Sequence, residues 1–230
     1  MYCCSHLFLR YDDPMRAPSN KPRYKRPLIL LTGFGSFPGV ADNVTERLVP
    51  EVAQRARARF PGFDFETEIL ATVWQTAPRL AAELHNHHKP VLMLHFGVAK
   101  SARGFRIEAQ ARNACHQTPD AHGGMPASNT ISQGGTELRP VTIPTRDIVS
   151  RLQQQGFPAE LSDDAGGYLC NAVLYHSLSA AESAVSGGPP TGFIHIPSEF
   201  LDSGLSYEAA VTGALEIIGV CISALPLEKD

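Results

Sequence analysis

Three residues of this chain could together cut an acyl bond: Cys170, His195 and Glu108. A cysteine is a nucleophile once it loses its proton, and a histidine can take that proton near neutral pH. A carboxylate can hold the imidazole in one tautomer. Cys170 follows Ala-Gly-Gly-Tyr-Leu at the expected start of a helix. The positive end of a helix favours thiolate over thiol, and glycines let backbone N–H groups approach a substrate oxyanion. His195 interrupts the apolar strand "GFIHIP" near its carboxyl end, and Glu108 alternates with Ile107 in "RIEAQARN". Each residue also has a plain structural role open to it. Cys170 could be a small core residue, His195 a hydrogen-bonded core histidine, and Glu108 a solvated carboxylate beside Arg106 or Arg112. Spacing along the chain does not by itself bring the three together.

Two other segments carry chemical possibilities. In "LILLTGFGSFPG", Leu28 to Gly39, Gly33 and Gly35 match the first two glycines of a dinucleotide-binding G-x-G-x-x-G, but Gly39 comes one residue late. Phe34 and Phe37 stand where small residues would let a pyrophosphate approach. Aromatic rings beside a glycine turn suit a flat, mostly apolar ligand better. His85, His87 and His88 in "HNHH" could suggest a metal site. They end a helix just before Lys89-Pro90, where a solvated cluster compensating the helix dipole is the expected reading, so no metal is assigned. No G-x-S-x-G elbow is present for a serine hydrolase.

The elements that must position these groups alternate from Pro27 onward. "PLILLTGF", "PVLMLHFG" and "TGFIHIP" are short apolar runs, read as buried strands. "NVTERLVPEVAQRARARF" places Val44, Leu48, Val52 and Ala56 on one helix face, with Pro50 inside it. "FDFETEILA" and "AELS" read as strands, and "GFRIEAQARNA" as a strand at an edge or rim. "TAPRLAAELHNHH", "TRDIVSRLQQQG", "GGYLCNAVLYHSLSAA" and "YEAAVTGALEIIGVCISAL" read as helices, the second stopping at Gly156. A Gly, Pro, Ser and Asn-rich loop runs from about His116 to Gly135. The expected architecture is α/β: a single-domain α/β/α sandwich with a mainly parallel twisted sheet and helices on both faces. Sites on such sheets lie at the carboxyl ends of the strands, where "TGFGSFPG", "SDDAGGYLC" and "HIPSEF" fall.

Residues 1–26 lack periodicity and read as an unfolded or loosely attached extension, with Met15 as an alternative start. Residues 27–230 form the domain. With 230 residues, 43% hydrophobic and 19% charged, the chain can bury a sizeable core. A net charge of −3 gives no basic field calling for nucleic acid, and Lys21, Arg23, Lys25 and Arg26 read as a solvated tail. Five cysteines, Cys3, Cys4, Cys115, Cys170 and Cys221, include no C-x-x-C pair, which favours a reducing, cytoplasmic compartment. There is neither an apolar run long enough to span a membrane nor a signal-peptide pattern at the N-terminus.

Five spaced segments now line up. "TGFGSF" is followed by Asn43; Gly97, Glu108 and Asn113 stand eleven and then five steps apart; "TIPTR", "SDDAGGYLCN" and "GFIHIP" follow in order. From Pro27 to about Leu201 the chain thus resembles the class I pyroglutamyl peptidases, also called pyrrolidone-carboxylate peptidases. The resemblance implies a cysteine peptidase that removes an N-terminal pyroglutamyl residue through a thioester, with no cofactor. The nucleophile, base and orienting carboxylate fall on Cys170, His195 and Glu108. The ring-sandwiching phenylalanines fall on Phe34 and Phe37, a hydrogen-bonding asparagine on Asn43, and further substrate contacts on Tyr168 and Leu169. Members of that family occur as monomers and as tetramers, so a homo-oligomer is compatible with it.

The chain also departs from those motifs. Asp163-Asp164 replaces Asn-Thr and adds negative charge that would oppose a nearby thiolate. Gly35-Ser36 replaces an acid-proline pair, and Val98 stands where glutamine is common. "ACHQTPD" lacks the arginine of the corresponding loop, with Gln117 or Thr118 nearest its place. These changes motivate a rival reading as a binding or regulatory protein on the same fold. A nucleotide-dependent oxidoreductase built on the Gly33 loop is a third.

Overall fold

The computed structural model describes residues 25–184, 187–201 and 203–226. The proposed extension falls outside these as far as residue 24, and so do the alternative starts Met1 and Met15. Where the extension meets β-structure, the Arg26 backbone N–H and guanidinium both donate to the Asp64 carboxylate, at 3.1 and 3.0 Å.

Six strands form one sheet: β1 (Leu28–Phe34), β2 (Asp64–Leu70), β3 (Leu92–Ala99), β4 (Phe105–Glu108), β7 (Ala159–Ser162) and β8 (Thr191–Pro197), in the order β2-β1-β3-β8-β4-β7. The pairings among β2, β1, β3 and β8 are parallel, whereas β4 runs antiparallel to β8 and parallel to β7. The expected mainly parallel sheet therefore holds, with its last two strands reversed. Two short strands, β5 (Gln110–Arg112) and β6 (Leu138–Pro140), pair separately.

Alternation along β1 assigns the two cores. Ile29 and Leu31 pack into one layer with α1 (Thr45–Arg59), α3 (Thr145–Gln154) and α5 (Tyr207–Ser223). Leu30 and Phe34 pack into the other with α2 (Ala77–His88) and α4 (Leu169–Glu182). Every residue of β1 and of β8 is buried, as continuous apolar runs under helices on both faces require. The helices end for local reasons. Ser206 accepts from the Ala209 N–H at the start of α5, and α3 stops where Gly156 takes φ +79°.

The segment read as an edge strand is corrected. β4 lies inside the sheet between β8 and the edge strand β7, and Phe105, Ile107 and Glu108 are buried. At Ala109 the chain turns away, and β5 leaves to join β6. The alternation in "GFRIEAQARNA" spans two strands in succession, a buried β4 and a part-exposed β5, rather than one exposed rim.

Candidate active site

Alternation on β8 sends Ile194 and Ile196 into the α1 and α5 layer, which leaves Phe193 and His195 facing α4. On β4 the same rule turns Phe105 and Ile107 one way and Arg106 and Glu108 the other. The antiparallel register sets Arg106 opposite His195 and Ile107 opposite Ile194, so Glu108 is the diagonal neighbour of His195. The Glu108 Oε1 lies 2.7 Å from His195 Nδ1, and the carboxylate is fully buried. The solvated-carboxylate alternative is thereby removed: Arg106 pairs with Glu160 at 3.3 Å and Arg112 with Asp164 at 4.0 Å.

Cys170 is the second residue of α4. Its helix is fixed from the side by the buried Asn171, whose amide donates to the carbonyls of Arg112 and Ala114 and whose oxygen accepts from the Arg112 N–H. The sulfur reaches the sheet because Gly97, level with His195 on the adjacent strand, has no side chain. A Cβ there would lie 3.1 Å from Cys170 Sγ and 2.7 Å from Phe193 Cζ. With Nδ1 held by Glu108, Nε2 is the ring nitrogen left to interact with Cys170, which is close enough to shift the imidazole. Burial pushes the His195 pKa down. The charge and hydrogen bond of Cys170 and those of Glu108 outweigh it and raise the imidazole to about 9. Cys170 is half-buried, whereas Cys115 and Cys221 are buried; Cys3 and Cys4 lie outside the described residues.

Above the sulfur lies a cavity of about 390 Å³, large enough for a small ring. Phe34, Phe37, Asn43, Tyr168, Leu169, Cys170 and His195 all border it. Phe34 is buried against Phe193, with ring centroids 6.1 Å apart. Phe37 sits nearer the opening, 5.6 Å from the Tyr168 ring, and Trp74 meets Tyr168 edge-on at 5.3 Å. Asn43 shapes the loop rather than standing free in the cavity: it donates to the Gly35 carbonyl at 3.0 Å, and its oxygen accepts from the Thr45 N–H and hydroxyl. The loop bearing the nucleophile is latched to the long loop before it. The Tyr168 hydroxyl donates to Pro119 O, the His116 N–H to Gly167 O, and Trp74 Nε1 to Thr118 O.

The glycine loop is not a phosphate cradle. The N–H groups of Phe34, Gly35, Phe37 and Val40 already donate to Thr45 Oγ1, Leu70 O, Val40 O and Phe37 O. A Cβ at Gly33 would lie 2.7 Å from Thr45 O, so that glycine lets β1 meet α1 closely. The departures also find places. Asp164 borders the cavity with its side chain 68% exposed, and caps the Gly166 N–H at 3.0 Å. Asp163 is exposed and offers its backbone carbonyl to Gln110 and Arg112. Gln117 donates to Asn129, and the Thr118 carbonyl is taken by Trp74, so neither replaces the missing arginine at the cavity. Val98 does line it.

The "HNHH" expectation is corrected in part. His85 is buried on the same helix face as Ala77, Ala81 and Leu84, and burial lowers its pKa, so only the following histidines reach the surface. Among the described residues no group of three potential ligands is placed to hold a metal ion. None of their helices is long and apolar enough to cross a membrane.

Several contributors escaped sequence reasoning. Phe193, Asn171, Thr72 and Arg106 each border or brace the site. Phe193 was within reach, because period-two alternation places it on the face of His195; the others depend on which strands become neighbours.

A sequence model described as pyroglutamyl peptidase matches residues 28–208. The pyrrolidone-carboxylate peptidase of Halalkalibacterium halodurans is 31% identical over 74% of this chain and 84% of its own length. That of Pyrococcus furiosus is 33% identical over 74% and 80%. Among solved structures, a mutant pyrrolidone carboxyl peptidase from P. furiosus superposes with a TM-score of 0.76 at 29% identity, covering 85% of this chain and 98% of that one. The pyroglutamyl peptidase I of Bacillus amyloliquefaciens gives a TM-score of 0.77 at 25% identity, covering 86% and 98%.

Proposed function

The chain belongs to the pyroglutamyl peptidase family, and from that premise we propose how its own residues carry the reaction. It is a cysteine peptidase that removes an N-terminal pyroglutamyl residue from a peptide. The observation that carries the assignment of roles is the line Glu108–His195–Cys170 along one wall of a cavity bordered by Phe34 and Phe37.

His195 takes the Cys170 proton through Nε2, and the sulfur attacks the carbonyl joining the lactam residue to the next amino acid. The resulting oxyanion faces the first turn of α4, whose leading N–H groups have no side-chain cap. Donors of this kind contribute about 3 kcal/mol each in comparable sites. When the C–N bond breaks, the imidazolium returns the proton to the leaving amine. A water then gives its proton to His195 and hydrolyses the thioester, releasing pyroglutamate and restoring the thiol. Glu108 holds Nδ1 protonated and stabilises the imidazolium throughout. Phe34 and Phe37 hold the ring, with Tyr168 and Leu169 forming the wall next to the sulfur.

Residues 27–230 act as one catalytic domain behind the 1–26 extension; limited proteolysis that splits 27–230 into two stable pieces overturns this. The protein is assigned to the cytoplasm on its free cysteines, and cell fractionation recovering it elsewhere removes that assignment.

Activity is tested with a fluorogenic pyroglutamyl amide in reducing buffer. Cys170→Ala should abolish turnover, and Cys221→Ser, buried in α5, should leave it nearly unchanged. Iodoacetamide should label Cys170 ahead of Cys115 and Cys221, with 2-pyrrolidone protecting it. Full activity of Cys170→Ala refutes the assignment.

A further inference from the structure

A pyroglutamyl residue has no chain on its N-terminal side, so the cavity above Cys170 takes the ring and the rest of the peptide must leave by another route. A second recess, of about 730 Å³, opens beside that cavity and shares Val40 and Lys100 with it. It lies between the β1–α1 loop and the segments that follow β3 and β8, so it continues the site along the carboxyl ends of the strands.

Charge in this recess is uneven in a way that bears on the occupant. Arg47, Lys100 and Arg103 border it against Asp42 and Glu199, which leaves it net positive. Arg47 is committed to the face of the Tyr207 ring, 4.8 Å from its centroid, and the neighbouring Arg106 to Glu160. Lys100 and Arg103 have no carboxylate within ion-pairing distance among the described residues. The exposed Lys100 side chain extends toward the loop opposite. Gly39, at φ +84°, would place a Cβ only 3.1 Å from Lys100 Nζ, so the cation lies against bare backbone at the junction of the two recesses.

We propose that this second recess receives the departing peptide and that Lys100 makes the enzyme prefer substrates with a carboxylate on the residue after pyroglutamate. The inference rests on the peptidase reading above. It concerns only which peptides are preferred. The carboxylate can be the side chain of an acidic second residue or the free terminus of a dipeptide, since either reaches the junction one residue past the cut bond. Phe200 and Leu201, further along the recess, offer apolar surface to residues beyond it.

Two substrate pairs separate these sources: pyroglutamyl-glutamate amide against pyroglutamyl-glutamine amide, and free pyroglutamyl-alanine against its amide. In at least one pair, kcat/KM should favour the carboxylate member by about fivefold at low salt, the size expected of a half-exposed ion pair. Added salt should shrink the preference. Lys100→Met should bring the ratio close to one, and Lys100→Glu should invert it. Equal ratios in both pairs for the unaltered enzyme, or a preference untouched by Lys100→Glu, overturns the proposal while the peptidase reading stands. If none of the four peptides is cleaved, the peptidase reading fails, and this inference with it.

Discussion

Glu108 and His195 are 87 residues apart in sequence and 2.7 Å apart in space, joined because β4 runs antiparallel to β8. The two side chains are buried together, so their hydrogen bond is shielded from water. This arrangement makes the imidazole a stronger base than free histidine and fixes which nitrogen meets the sulfur.

The pH dependence follows from His195, where burial is outweighed first by Cys170 and then by Glu108. His195 is raised from 6.5 to about 9, so its imidazolium persists through neutral pH and is lost as pH rises past about 9. The alkaline limb of kcat/KM should fall there. Glu108→Gln keeps the shape but removes the charge, and should shift that limb to lower pH while cutting kcat about 100-fold. A pH–rate profile with an unmoved alkaline limb would show that Glu108 does not act through His195.

Gly97→Ala places a methyl group where Phe193 and the Cys170 sulfur already sit. Displacing either costs about 1–3 kcal/mol of stability. Because the sulfur must move, kcat/KM should fall far more, by about 100-fold. Gly219→Ala, where the nearest atom is Phe60 Cζ at 3.5 Å, serves as the comparison and should leave activity unchanged. Thermal melts and kinetics on both variants distinguish a displaced nucleophile from a general loss of folding.

Asp163 and Asp164 are expected to have little influence on the thiol. Asp164 caps the Gly166 turn at the exposed rim of the cavity, and neither aspartate is among the groups that set the His195 pKa. Replacing them with Asn and Thr should leave the acidic limb of kcat/KM in place and lower stability slightly through the lost cap. An acidic limb that moves to lower pH would mean that their charge reaches the sulfur.

His95 gives the fold an acid sensitivity separate from catalysis. It is fully buried, its ring nitrogens engage Thr32 Oγ1 at 2.7 Å and Ser177 Oγ at 2.9 Å, and burial lowers its pKa to about 3. Above pH 6.5 both folded and unfolded forms are neutral, so no penalty arises. Between 6.5 and about 3 only the unfolded chain takes the proton, and stability falls by about 1.4 kcal/mol per pH unit from this residue alone. His95→Gln should flatten the dependence of denaturant midpoint on pH over that range. An unchanged slope would show that other groups govern it.

The elements were legible because their periods are local. Continuous apolar runs marked β1, β3 and β8, helical spacing marked α1, and Gly156 marked the end of α3. The triad was legible in a different way: ordered motifs named Cys170, His195 and Glu108, but the residues' own spacing left each with a structural alternative. Removing those alternatives needed the strand order. Whether Glu108 is solvated or buried depends on β7 covering β4 and on β4 reversing beside β8, a choice made by side-chain packing across distant segments. The same holds for Gly97, whose missing side chain matters only once Phe193 and the sulfur converge on it. His85 also turned inward against expectation, because the buried stripe of α2 is wide enough to include it. Local sequence sets which face a side chain takes on its own element. Which partner that face meets is decided by the burial of apolar surface over the whole chain, and that is a property of the tertiary structure alone.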